Sequence, residues 1–112
     1  MSVMSADLPI SKRPRQSVAV RFQSLLAEWK ADRAPSSSVA QLAMHPAYQQ
    51  IIGLGPDVMP MIFREMSTTP GHWFWALRAL SGENPVEESH RGDVPKMTED
   101  WLNWARQEGY SW

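Results

Sequence analysis

Cysteine is absent from this 112-residue chain. Disulfides, thiolate nucleophiles and Cys-ligated zinc or iron–sulfur centres are therefore excluded, and the composition fits a reducing compartment. Long apolar runs are also missing. Nowhere do the ~18 consecutive apolar residues of a membrane span occur, and the stretch "MSVMSADLPISKRPRQ" lacks the apolar centre of a secretion signal. The expectation is a cytoplasmic protein that does not enter the membrane. An excess of either charge is missing too: 11 basic against 12 acidic residues leave a net charge of −1, which argues against the overall basic footprint of a dedicated nucleic-acid binder. No segment alternates apolar and polar residues with β-branched enrichment, so no sheet is expected.

The chain is equally poor in catalytic motifs. His45, His72 and His90 stand apart from one another, with no His-x-x-x-His or Glu-x-x-His pair to seed a metal site. No serine sits in Gly-x-Ser-x-Gly, and no glycine-rich segment has phosphate-binding spacing. Carboxylates cluster at Glu83, Glu87, Glu88 and Asp93 and again at Glu99–Asp100. In such a position they read as a solvated loop and as complements to a helix N-terminus. These absences predict a protein that is not an enzyme, with no catalytic residues, no metal ligands and no cofactor.

What is present is helical pattern and tryptophan. Val18, Phe22, Leu25, Leu26 and Trp29 fall on one face of a helix, predicted over about residues 16–33. The "PSSS" stretch after it reads as a linker in which Ser36 or Ser37 caps the next helix. Pro46 disfavours helical geometry at His45 and splits the following segment into two short helices. Gly53 and Gly55 close the second of them, and Asp57 is the expected cap of the next, placing Pro60 inside its first turn, where a missing N–H costs nothing. Val58, Met61, Ile62 and Met66 then share a face.

The stretch "PGHWFWALRALSGENP" predicts a helix of about ten residues closed by a left-handed Gly82, with Trp73, Ala76, Leu77 and Leu80 on one side. An acidic loop over residues 83–92 leads to a last helix, capped by Asp93 and ending near Gly109, that carries Val94, Met97, Trp101, Trp104 and Ala105. The whole reads as an all-α, compact bundle of five or six short helices over residues 16–112, preceded by a flexible basic arm over residues 1–15. A chain of this length buries roughly two thirds of the surface it exposes when unfolded, so one modest core is possible.

The pair "GPDVMPMIFREM" and "HWFWALRALSGENPV", with Gly55, Pro60, Ala76, Leu77, Ala79, Leu80 and Gly82, resembles a HEAT-like α-helical repeat pair over about residues 53–86. A longer pattern, "HPAYQQIIGLG…HWFWALRALSGENPV…RGDV.KM…WL.WA…GY", is similar to a group of small bacterial proteins associated with mobile elements. That resemblance implies a bacterial origin and a role as an accessory or regulatory factor of a mobile element.

Six tryptophans and seven methionines are many for this length. Consecutive helical residues point ~100° apart, so Trp73, Phe74 and Trp75 cannot share one core. Trp73 aligns with the apolar face and is assigned to the interior. Phe74 and Trp75 are then covered either by Trp101 and Trp104 of the last helix or by a partner. Exposed tryptophan and methionine are characteristic of interfaces, so the chain reads as a non-catalytic protein–protein interaction module, its partner another protein or a second copy of itself. The candidate partner-binding residues are Phe74, Trp75, Arg78, Trp104 and Trp112. The alternative is a small nucleic-acid-associated regulator that touches phosphates through Lys12, Arg13, Arg15 and Arg21.

Overall fold

A computed structural model describes residues 17–32, 38–69 and 71–112. The expected arm over residues 1–15, the "PSSS" linker residues up to Ser37, and Pro70 lie outside the described residues. Those residues contain six α-helices and no strand: α1 (Val18–Asp32), α2 (Val39–Met44), α3 (Pro46–Gly53), α4 (Met59–Thr68), α5 (Phe74–Ser81) and α6 (Val94–Gln107). Single 3₁₀ turns over Pro56–Val58 and Glu88–His90 lead into α4 and α6. The fold is all-α, as its periodicity predicts.

Helix ends follow local chemistry, with two corrections. The cap of α2 is Ser38, not Ser36 or Ser37: its hydroxyl accepts from the Gln41 N–H at 3.1 Å, and the Gln41 side chain accepts from the Ser38 N–H at 2.8 Å. This reciprocal pair satisfies two donors that a helix start leaves free. Asp57 does not cap α4. The chain passes through the 3₁₀ turn at Pro56 and enters α4 from Val58 with no side-chain cap, and Pro60 occupies one of the first two helical positions. The expected break at His45–Pro46 is present, and His45 serves both sides of it: its backbone ends α2 and its Nδ1 accepts from the Ala47 N–H at 2.9 Å. Gly53 stays helical, whereas Gly55 takes φ 89°. Gly82 ends α5 at φ 74°, a left-handed geometry that costs glycine little. Asp93 caps α6 through the Lys96 N–H at 3.2 Å.

One continuous core joins the helices. Phe22, Leu25, Leu26 and Trp29 form the buried face of α1, packed on Ala47, Tyr48 and Ile51 of α3. Helix α5 packs on α3 and adds Ala76 and Leu77, with Trp73 at its cap position. Met59, Ile62, Phe63 and Met66 of α4 meet Trp101 and Ala105 of α6. At the centre, Trp73 stands 5.1 Å from Trp29, 5.4 Å from Tyr48 and 6.0 Å from Phe22, measured between ring centroids. Tilted and offset pairs at these distances are the favourable geometries of aromatic packing.

Candidate functional site: a divided aromatic helix

Helix α5 begins where capping should fail, because Trp73 sits at the cap position and offers no side-chain acceptor. The missing acceptor comes from α3. The Tyr48 hydroxyl accepts from the Ala76 N–H at 3.1 Å and donates to the His72 carbonyl at 2.7 Å. Burial pushes the Tyr48 hydroxyl above the ordinary tyrosine range, partly opposed by the Ala76 hydrogen bond, so it remains a neutral donor and acceptor. This bridge sets the rotation of α5 about its axis, and with it the direction of the three consecutive rings.

That rotation separates them. Trp73 is buried, Phe74 is half-buried against the core, and Trp75 is 49% exposed. Of the six tryptophans, Trp75 alone is exposed. It shares the outer face of α5 with Arg78 and Ala79, both exposed, at spacings of three and four residues. The C-terminal tryptophans pair elsewhere. Trp101 is buried with its ring 5.4 Å from that of Trp104, and Trp104 reaches Tyr110 at 6.1 Å. Neither pairs with Phe74 or Trp75.

Trp112, expected to meet a partner, is engaged by its own chain. After Gly109 the chain folds back, and the Tyr110 N–H donates to the Ala105 carbonyl at 2.9 Å. Tyr110 and Trp112 both lie on Phe63, at 5.3 and 5.4 Å, the Trp112 indole N–H donates to the Ser67 hydroxyl at 2.9 Å, and the Arg106 guanidinium lies 5.2 Å over its ring. The half-buried ring thus ties the C-terminal segment to α4. Arg21 is exposed on α1, and Lys12, Arg13 and Arg15 lie outside the described residues.

One polar cluster was not apparent in the sequence. Asp100 on α6 turns toward the loop, where its Oδ2 accepts from His90 Nδ1 at 2.7 Å and from the Glu87 N–H at 3.1 Å. Glu87, His90 and Asp100 each bring a ligand-type atom within 4.8 Å of the others. Nδ1 cannot both donate to Asp100 and hold a cation, so as folded the group is a clasp that pins the loop to α6. Burial raises the Asp100 pKa, but the His90 and Glu87 hydrogen bonds and the His90 charge together outweigh it, and the net shift is downward.

A carboxyl depressed on folding stabilises the fold above its unfolded value, 3.8, and loses that contribution as pH falls through the lower folded value. Asp100→Asn should therefore cost about 1 kcal/mol at pH 7, a part-exposed charged hydrogen bond being discounted for solvent screening. The difference from wild type should shrink on approaching pH 3 in urea titrations, and an equal cost at both pH values would contradict the clasp.

Among the described residues no helix is long and apolar enough to cross a membrane. No protein-family model, curated protein or solved structure matches the chain.

Proposed function

We propose that the chain is a non-catalytic binding module that presents Trp75, flanked by Arg78 and the rim of Phe74, to another protein or to a second copy of itself. The observation that supports this most strongly is the exposure of Trp75 on a helix whose neighbouring Trp73 is wholly enclosed. An indole left half in water forgoes hydrophobic stabilisation that the other five tryptophans obtain at least in part. Tryptophan and arginine are also the residue types that most often dominate binding energy at protein interfaces. An accessory or regulatory factor of a bacterial mobile element is the setting that the sequence resemblance suggests for such a module.

Trp75→Ala is the test. A central interfacial tryptophan contributes about 2 kcal/mol or more, so its truncation should weaken self-association or partner binding by roughly 30-fold. Sedimentation equilibrium of wild type and variant reads the first. Quantitative comparison of the two as baits in one lysate of the source organism reads the second, the partners being those retained by wild type and lost by the variant. Identical sedimentation together with identical retention would count against the α5 surface.

A further inference from the structure

A second feature converges on one side of the same helix. Between the end of α5, the start of α4 and the C-terminal segment lies an open cleft of about 340 Å³. Its apolar walls include Met59, Leu80, Trp104 and Tyr110, and its rim carries Glu83 and Glu108. The volume is at the small end of ligand pockets, which run from about 300 to 1,000 Å³, and suits one long side chain rather than an extended cofactor.

Three observations give the cleft a sign. No lysine, arginine or histidine lines it among the described residues. Neither the Glu83 nor the Glu108 carboxylate is ion-paired or hydrogen-bonded there, whereas Glu65 has Lys30 at 2.6 Å and Asp100 has His90. Both unpaired carboxylates also sit where helix electrostatics oppose them. Glu108 is the C-cap residue that directly follows α6, and Glu83 follows the end of α5 by two residues. A helix C-terminus carries partial negative charge and favours a cation, so two helix ends and two carboxylates face one space that no cationic side chain lines. Arg78, the basic residue in the last turn of α5, is exposed and is not among the lining residues. Arg106, the basic residue in the last turn of α6, is held over Trp112 and by Asn103.

The walls suit the same ligand. Trp104 and Tyr110 present rings 6.1 Å apart with an interplanar angle of 32°, and an aromatic face attracts a guanidinium or ammonium within ~6 Å of its centroid. The methylene stem of such a side chain packs on apolar surface while its charge meets the carboxylates.

We infer that this cleft is a receptor for a single cationic side chain, an arginine inserted by a partner protein against the wall formed by Trp104 and Tyr110, with Glu83 and Glu108 at the rim. The inference rests on the binding-module reading in one respect only, that the cation arrives on another protein. It also gives Trp104 a role distinct from that of Trp75.

The probe is the peptide acetyl-Gly-Gly-Arg-Gly-Gly-amide, compared with its citrulline counterpart, which keeps the shape and removes the charge. Binding to the full ¹⁵N-labelled chain is followed at the Trp104 indole N–H, assigned from Trp104→Phe. The arginine peptide should shift that resonance with a dissociation constant in the millimolar range. The citrulline peptide should bind at least about tenfold more weakly, and Glu83→Gln combined with Glu108→Gln should weaken the arginine peptide by a similar factor.

These surface substitutions leave the core untouched, and added salt should weaken binding further. Trp75→Ala should bind the peptide as wild type does, so failure here leaves the α5 surface standing and failure of the α5 surface leaves the cleft standing. Equal binding of the two peptides, wild-type affinity in the double variant, or no Trp104 shift with the arginine peptide would each overturn the inference.

Discussion

Trp73→Ala should unfold the protein at ordinary temperatures or bring it close to doing so. The ring is buried and meets Trp29, Tyr48 and Phe22 within 6.0 Å, so three helices lose their common contact when it is removed. Truncating a buried aromatic to alanine costs about 3–5 kcal/mol, the lost transfer energy plus the cavity left behind. Small domains are stable by only about 5–15 kcal/mol. For a chain of this size the melting temperature should fall by roughly 15–30 °C. A fall of only a few degrees would mean that the ring does not join α1, α3 and α5 as described.

The second large effect is expected at Tyr48, where one oxygen atom is removed and the ring remains. Tyr48→Phe keeps the stack on Trp73, centroids 5.4 Å apart at 12°, and loses both hydrogen bonds of the hydroxyl. The Ala76 N–H and the His72 carbonyl then lack partners at the start of α5. Leaving a buried donor or acceptor unsatisfied costs about 1–3 kcal/mol, so a total of about 2–4 kcal/mol is expected in denaturant unfolding. Faster amide exchange at Ala76 should accompany it. A cost below about 0.5 kcal/mol, within the range of neutral surface changes, would show that Trp73 positions α5 without the bridge.

The difference between these residues and the exposed ones shows which parts of the structure were legible in the sequence. Helical spacing identified the buried faces of α1 and α5 because a core-facing stripe leaves its period in the chain, and it assigned Trp73 correctly. On α4 it chose Met61, which is half-buried, in place of the buried Met59 and Phe63, and on α6 it found Trp101 and Ala105 but not Thr98. The His45–Pro46 break, the Gly82 closure and the Asp93 cap were legible because each acts within four residues of itself. Even the misplaced cap of α2 had a local signal: Ser38 and Gln41 stand three apart, the spacing of a reciprocal capping pair. At α4 the misreading has a different cause. Asp57 is a sound cap by type, but Pro56 drives the chain into a 3₁₀ turn first and shifts the helix start beyond it.

What sequence could not supply is contact across distance. Tyr48 caps a helix that begins 26 residues later, and nothing in "HPAYQQ" marks that hydroxyl as an acceptor for Ala76. Asp100 looks like an ordinary helix-surface carboxylate until the loop brings His90 and Glu87 back over it. The destinations of Trp104 and Trp112 depend on the reversal after Gly109, which returns Tyr110 and Trp112 to Phe63. The candidate surface was therefore half legible: the conflict among Trp73, Phe74 and Trp75 follows from 100° of rotation per residue, but its outcome depends on helices far away in sequence.

Side-by-side thermal unfolding of Trp73→Ala and Trp75→Ala tests that division most directly, because two like truncations two residues apart differ only in what surrounds the ring. This division predicts the large fall for Trp73→Ala and a change within about 3 °C for Trp75→Ala, as for a surface position. Comparable losses in both variants would contradict it, since Trp75 would then be part of the fold and not a surface left for a partner.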